Sequence, residues 1–184
     1  VYGLDGDTLY INQYTGCILQ SGDVSAEMVT EYPMNGQISI RASGVSRIAL
    51  RIPSWCRQFT LNAAYTMENG YAVVENNGEI KLSLDLTPFA VRANHKAIKD
   101  INKICIQCGP IVYCAESVDN GENLHTLEIP VNFTYEKSFD AFFGLPILTV
   151  NAFRYVDSLE GLYTFADADL PEKVPFAIKM IPFS

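Results

Sequence analysis

Positive charge is scarce in this sequence, which has 13 Lys and Arg residues against 21 Asp and Glu residues and a formal net charge of −8. No segment clusters the basic side chains that would be needed to neutralise several phosphates at once. No apolar run approaches the roughly 18 residues of a membrane-spanning helix. The sequence therefore predicts neither nucleic acid nor a membrane as a partner.

Cysteine is also sparse, with five residues in 184, which is too few for a disulfide-stabilised scaffold. The odd count leaves at least one thiol unpaired within a monomer. The first segment, "VYGLDGDTLY", has neither a basic start nor a long apolar stretch. Neither feature indicates a particular compartment, so the sequence leaves the localisation open.

Three of the cysteines lie in "KICIQCGPIVYCAES", residues 103–117. Cys105 and Cys108 have the C-x-x-C spacing of a zinc knuckle or a redox pair, but a structural zinc site needs four ligands and no second pair is present. Residues three apart on a strand also point to opposite faces. Further ligands would have to come singly from Cys17, Cys56, Cys114, His95 and His125. Zinc and a redox pair stay open as alternatives; we interpret these cysteines as buried strand residues and expect no metal or other cofactor in this chain.

Recognisable nucleophile motifs are lacking as well. There is no G-x-S-x-G elbow, and His95 and His125 stand alone in polar segments, where we expect surface imidazoles. A Ser-His-Asp triad assembles from distant positions, so the sequence alone leaves that alternative open.

Acidic residues gather in three groups. Two carboxylates about 5 to 10 Å apart are the minimum for glycoside hydrolysis, and an Asp-x-Asp spacing also occurs in calcium loops. Neither Asp-x-Asp pair here continues with the spacing and glycine of an EF-hand. We therefore interpret the groups as solvated turns and assign no catalytic or metal-binding residue. They are Asp5 and Asp7; Glu116, Asp119 and Glu122; and Asp167, Asp169 and Glu172.

Aromatic side chains offer a second route to sugars, because a flat ring can cover the apolar face of a furanose or pyranose. Trp55, Tyr65 and Tyr71 are the candidates for such platforms. Trp55 lies just beyond an expected strand, where an indole commonly caps the open end of a sandwich core. We favour that structural interpretation for Trp55.

The sequence is rich in alternating apolar and polar residues, and no window keeps helical spacing for the length of a helix. "QISIRA" and "RIALRIP" are clear strand patterns, the second ended by Pro53. "GYAVVENNGEIKLSLDL" predicts a hairpin whose strands join at Asn76-Asn77-Gly78, because Asn and Gly accept the positive φ of tight turns. Further strands are expected at residues 9–14, 59–62, 103–107, 111–116, 147–153 and 176–181.

Short strands at this spacing favour an all-β fold of two antiparallel, jelly-roll-like β-sandwich domains in tandem. The stretch of residues 85–103, in which polar residues flank a strand, is where we place the passage between them. We therefore predict a first domain at residues 1–100 and a second at residues 101–184.

Six stretches, taken in order, resemble the C-terminal β-sandwich region of glycoside hydrolase family 127, the β-L-arabinofuranosidase family. They are "DTLYINQYTG", "TEYPMNGQISI", "IALRIPSWC", "GYAVVE", "VRANHKAIKDINKICIQCGPIVYCAESVDN" and "IKMIPFS". Family members have a strand, a Gly-Pro turn and a second strand ending in Tyr-Cys-x-Glu, which Gly109-Pro110 and residues 113–116 match. Cys108 stands where the family more often has Arg, and Cys105 occupies a small or apolar strand position.

The resemblance implies that catalysis resides outside this chain. Family members are understood to use a cysteine thiolate nucleophile that is bound to zinc. An adjacent Cys-Cys pair, another Cys and a Glu are the zinc ligands, and the whole site lies in an N-terminal (α/α)6 barrel. A separate Glu acts as acid/base, and zinc suits the site because it keeps a thiol deprotonated. This sequence has no Cys-Cys pair and no Glu-x-Cys. No family catalytic residue is carried over, and zinc is implied only for the catalytic domain of the parent protein.

The same resemblance implies a role for the chain. We expect a non-catalytic part of a bacterial glycoside hydrolase that braces the catalytic barrel and takes part in dimerisation; a carbohydrate-binding module for arabinose-containing glycans is the alternative. Family chains continue past the "IPFS"-like block with a strand that contains Trp, Asn and Arg. We therefore expect the second sandwich to be incomplete.

Overall fold

The computed structural model describes residues 1–142, 144–156, 163, 165 and 171–183. The chain divides into two compact units, the first comprising Val1–Pro88 with Cys108–Pro110, and the second comprising Phe89–Gln107 with Ile111–Ser184. The first unit has its main segment up to Pro88, whereas the sequence placed the boundary near residue 100. Its strands are β1 (Tyr2–Asp5), β2 (Thr8–Ile11), β3 (Cys17–Ser21), β4 (Val24–Thr30), β5 (Gln37–Ser43), β6 (Arg47–Arg51), β7 (Phe59–Leu61), β8 (Tyr65–Glu68), β9 (Tyr71–Glu75) and β10 (Ile80–Leu84).

The first unit is a sandwich of two five-stranded sheets. The first sheet has the order β1-β2-β6-β9-β8 and the second has the order β3-β4-β5-β10-β7. Alternation along each strand directs one set of side chains into the space between the sheets. The buried core contains Leu9, Ile48 and Val74 from the first sheet, and Ile40 and Leu82 from the second. The predicted all-β class is confirmed.

One strand pair departs from the predicted antiparallel arrangement. β2 and β6 run parallel, with Leu9 opposite Ile48. The chain between these two strands forms β3, β4 and β5, which belong to the other sheet. A parallel pair needs such a long connection, because a tight turn can only reverse the chain.

The predicted hairpin at Asn76-Asn77-Gly78 is wrong, although both of its strands exist. β9 pairs with β6 and β8, whereas β10 pairs with β5 and β7 in the opposite sheet. The side-chain amide of Asn76 donates to the carbonyls of Ala42 and Val45 at 3.1 and 2.9 Å. The turn therefore connects the two layers of the sandwich and is anchored to the end of β5 and to the loop that follows it.

The second unit contains a single seven-stranded sheet in the described part of the chain. Its order is β11-β12-β13-β17-β16-β14, and β15 also pairs with β16. Ile106, Tyr113, Leu148, Val150 and Ile178 are buried. The elements are β11 (Phe89–Arg92), β12 (Ile104–Cys108), β13 (Ile111–Ala115), helix α1 (Ser117–Asn120), β14 (Leu127–Glu128), β15 (Tyr135–Asp140), β16 (Leu145–Tyr155) and β17 (Lys173–Pro182), with short 3-10 turns at Ile98–Asp100 and Leu124–Thr126.

The expected strand, Gly-Pro turn and second strand are present as β12, Gly109-Pro110 and β13. Gly109 has a φ of +59°, which a residue with a Cβ rarely adopts. The strands expected at residues 147–153 and 176–181 are also present, as parts of β16 and β17. Within the described residues, none of the helices has the length and apolar character required to cross a membrane.

Candidate functional site

The cysteines of the C-x-x-C motif are strand residues that lie on opposite sides of β12. Cys105 is half-buried and lies opposite Val91 in the neighbouring strand. Cys108 is buried, and its thiol donates to the Leu86 carbonyl at 2.9 Å. Cys114 lies on β13 opposite Ile181. The motif therefore does not direct two thiols at one point.

The environment of two further thiols disfavours their reactive form. Burial raises the pKa of Cys114, and the nearby carboxylate of Glu116 raises it further. Burial also raises the pKa of Cys56. A thiolate is the nucleophilic and metal-binding form, so these side chains are poor candidates for either task. Among the residues that the structure describes, no group of three His, Cys, Asp or Glu side chains is arranged to hold a metal ion, so the zinc site implied for the family does not fit this part of the chain.

The two histidines are exposed and far apart in the sequence. His95 lies in the loop after β11, and His125 lies in the 3-10 turn at Leu124–Thr126. The structure therefore gives neither imidazole a buried environment suited to proton transfer.

The acidic groups organise turns and ion pairs. Asp7 accepts hydrogen bonds from the backbone and hydroxyl of Ser46, which lower its pKa. Asp119 accepts a hydrogen bond from the Lys179 ammonium at 2.7 Å. Asp167 and Asp169 lie outside the described residues, and Glu172 accepts the backbone N–H of Val156 through its own carbonyl.

The predicted aromatic platforms are partly occupied by contacts within the first unit. Trp55 is half-buried and packs against the sandwich core. Tyr71 packs edge to face on Tyr10, with ring centres 5.3 Å apart, and its hydroxyl donates to Asn12 at 2.7 Å. Tyr65 is 45% exposed, and its ring centre lies 5.3 Å from that of Phe59. Of the three rings, Tyr65 is the most accessible.

A buried asparagine in the second unit has no signal in the sequence. Asn120 is 4% exposed and ends helix α1. Its amide donates to the carbonyls of Glu116 and Lys179, and its side-chain oxygen accepts the backbone N–H of Lys179. Arg154 donates to the carbonyl of Asn120 and stacks on the ring of Phe176, 4.1 Å from the ring centre. These contacts fix α1 to β17 and have a structural role.

Glu128 forms a second polar cluster at the edge of the same sheet. Its carboxylate accepts hydrogen bonds from the Tyr155 hydroxyl and from the Lys173 ammonium, the latter at 2.8 Å. These two donors lower the pKa of Glu128, Lys173 having the larger effect. The cluster joins the two-residue strand β14 to the neighbouring strands β16 and β17.

The outer face of the second sheet of the sandwich carries a groove, lined largely by polar residues, that no sequence motif predicted. One part has a volume of about 430 Å³ and is lined by residues that include Thr30, Gln37 and Lys81. A second part, of about 350 Å³, also touches Lys81 and extends to Arg41 and Glu79. Alternation along β5 and β10 could have shown that Gln37, Arg41 and Lys81 face outward. Their assembly depends on strand pairing, which the sequence does not display.

Comparison with known proteins identifies the relatives of this chain. A family model described as the glycoside hydrolase family 127 C-terminal domain matches residues 88–184. A curated non-reducing end β-L-arabinofuranosidase from Bifidobacterium longum subsp. longum is 28% identical over 97% of this chain and 31% of its own length. This chain therefore spans about a third of that relative.

Solved structures show the same relationship. The crystal structure of a family 127 β-L-arabinofuranosidase from Geobacillus stearothermophilus T6 superposes with a TM-score of 0.82 at 27% identity, over 98% of this chain and 32% of that one. A β-arabinofuranosidase of the same family, at 24% identity and a TM-score of 0.75, shares the fold over 99% of this chain and 33% of its own. The chain belongs to glycoside hydrolase family 127 and corresponds to the C-terminal part of its members.

Proposed function

We propose that this chain is the non-catalytic C-terminal part of a glycoside hydrolase that acts on arabinofuranosides, and that it supports a separate catalytic domain. One observation carries the proposal: nearly the whole chain aligns with only 31% of a curated β-L-arabinofuranosidase. The remaining two thirds of that relative leave room for a catalytic domain. The zinc-dependent chemistry that the family resemblance implies belongs, in this proposal, to that domain.

The arrangement of acidic side chains supports a non-catalytic role. Asp7 and Asp119 hold turns and ion pairs, and Glu79 is bound by Ser39, Arg41 and Lys81. General acid catalysis at neutral pH requires a carboxyl group whose pKa is raised. The pKa values of Asp7, Glu79 and Glu128 are instead lowered by hydrogen bonds.

Rigid support is the task that two β-rich units can perform. A displacement of about 1 Å at a catalytic centre has a large effect on rate, so a catalytic domain benefits from a fixed neighbour. Phe139 and Phe142, at and beyond the end of β15, are 63% and 90% exposed. Contiguous exposed apolar patches commonly mark protein contacts, and we propose that these two side chains belong to such a contact with the catalytic domain. Dimerisation of the parent protein remains a prediction from the sequence.

The test is the activity of the purified chain on 4-nitrophenyl β-L-arabinofuranoside, with and without added zinc. We expect no release of nitrophenol above the buffer rate, because the catalytic groups belong to another domain. Turnover that rises in proportion to chain concentration and disappears in Glu79→Gln or Asp119→Asn would make the chain an enzyme and contradict the proposal.

A chimera tests the supporting role. The C-terminal third of the Geobacillus enzyme is replaced by this chain, and the product is compared with the same enzyme truncated at that junction. We expect the chimera to inactivate more slowly on heating than the truncated enzyme. Equal inactivation rates would argue against mechanical support.

A further inference from the structure

The polar groove on the first unit is formed by outward-facing side chains of three adjacent strands. In β4, β5 and β10 the buried residues Met28, Ile40 and Leu82 point into the core, so their sequence neighbours point outward. Val29 of β4 lies opposite Ser39 of β5, and Ser39 lies opposite Lys81 of β10. These three positions line both parts of the groove. The two parts therefore form one continuous depression across the strands.

The side chains of the groove are held in place by one another. The Glu79 carboxylate accepts a hydrogen bond from Ser39 at 2.7 Å and ion pairs with Arg41 at 3.1 Å and Lys81 at 3.3 Å. The amide of Gln37 donates to the Ser83 hydroxyl at 2.8 Å. Polar groups that are already ordered lose little conformational entropy when a ligand binds. These contacts place donors and acceptors of the groove next to one another.

The charges of the groove disfavour an ionic ligand. Three carboxylates, from Glu27, Glu31 and Glu79, face two cations, from Arg41 and Lys81. Both cations are paired with Glu79, and the five charged groups together carry a net charge of −1, so an anion is disfavoured. A cation at Glu79 would compete with Arg41 and Lys81, and no group of three His, Cys, Asp or Glu side chains among the described residues is arranged to hold a metal ion, so a neutral ligand is favoured over either.

The remaining chemistry of the groove suits hydroxyl groups. Carboxylates, amides and serine hydroxyls present both donors and acceptors, which a polyhydroxylated ligand can satisfy along its length. Val29 of β4 is 61% exposed, lines both parts of the groove and offers an apolar surface to C–H groups. We propose that this groove binds a neutral oligosaccharide chain, lying across β4, β5 and β10. This binding activity goes beyond the supporting role and does not depend on it.

The test is a titration of the 15N-labelled chain with α-1,5-linked L-arabinohexaose, followed by backbone amide NMR shifts. We expect progressive shifts at Val29, Ser39 and Lys81, with a dissociation constant on the order of 1 mM. Xylohexaose and polygalacturonate are run in parallel. Shifts at the same amides with xylohexaose also support the proposal, because it specifies a neutral oligosaccharide; shifts with polygalacturonate alone would overturn it.

Variants locate the binding. Gln37→Ala with Lys81→Ala removes one lining side chain from β5 and one from β10, and we expect affinity to fall at least about tenfold. The matched control is Gln20→Ala with Lys96→Ala, which changes the same residue types outside the groove and should alter affinity less than about twofold. Val29→Arg, at an exposed position, is a second variant. Its larger side chain should occupy the groove and lower the affinity as well.

Each remaining outcome has a clear meaning. Absence of shifts up to about 10 mM ligand, shifts confined to Trp55 or Tyr71, or unchanged affinity in both groove variants would overturn the proposal. None of these results affects the nitrophenol assay, so the groove and the non-catalytic role succeed or fail separately.

Discussion

Gly36 lies where the backbones of two segments of the sandwich come into direct contact. Its carbonyl accepts the backbone N–H of Leu84 at 2.9 Å. A Cβ at this position would lie 1.9 Å from the carbonyl oxygen of Leu84 and 2.9 Å from its carbonyl carbon. Both atoms belong to the backbone, which cannot move aside without breaking strand pairing. The sequence alone presents Gly36 as an ordinary turn residue.

We expect Gly36→Ala to lower the free energy of unfolding by about 3 kcal/mol, as overpacking against an immobile neighbour does. Urea unfolding followed by tryptophan fluorescence measures the effect, because Trp55 packs on the same core. The control is Gly16→Ala, whose Cβ would lie at an ordinary 3.7 Å from the Met28 carbonyl oxygen. Equal urea midpoints for the two variants would contradict the close contact.

At the scale of elements, alternation predicted strands better than it predicted their partners. The two arms of "GYAVVENNGEIKLSLDL" are strands, yet they belong to opposite sheets. A period of two shows which side chains share a face but not which strand lies alongside. The deciding contacts are those of Asn76 with Ala42 and Val45, more than thirty residues earlier.

The sequence predicts even less of the candidate site than of the strand pairing. Glu27, Ser39 and Lys81 line one groove, but they come from strands separated by up to 54 positions in the sequence. No local motif relates them, and each taken singly is an ordinary surface residue. An aromatic residue, by contrast, can be recognised from the sequence one at a time as a candidate sugar platform. Its burial cannot be read in that way, and the structure places Trp55 against the core.

The edge strand β14 is expected to loosen in acid. The carboxylate of Glu128 is stabilised by Lys173 and Tyr155, so its pKa lies below the ordinary value of 4.5. A lowered pKa in the folded state means that the stabilisation is present above the ordinary value and is lost as pH falls through the lowered one. The pKa of Lys173 is raised, so its contribution is lost only in strong alkali.

Hydrogen exchange of the β14 amides measures this effect, after correction for the intrinsic pH dependence of exchange. We expect protection at about pH 6 to exceed that at about pH 3.5. In the Glu128→Gln variant, protection should be low at both values, because the amide side chain carries no charge at either. Equal protection of the original chain at the two pH values would show that the ion pair does not hold the strand.

At the scale of the whole molecule, the chain has the size and folded cores of two units but corresponds to a third of its relatives' length. The division of labour that we propose requires the metal chemistry to lie in the other two thirds. Cys105 and Cys108 are the only C-x-x-C pair in the sequence. Whether they bind zinc is therefore a direct test of that division.

We expect the purified chain, dialysed against buffer after exposure to zinc, to retain far less than one zinc per chain. Cys105 and Cys108 lie on opposite sides of β12, the Cys108 thiol is bonded to the Leu86 carbonyl, and no group of three ligands forms among the described residues. A structural zinc needs four ligands directed at one point. Atomic absorption measures the retained metal, and the Cys105→Ser, Cys108→Ser double variant should carry the same trace. If the original chain retains one equivalent of zinc and the double variant loses it, this chain contains a metal site and the prediction is wrong.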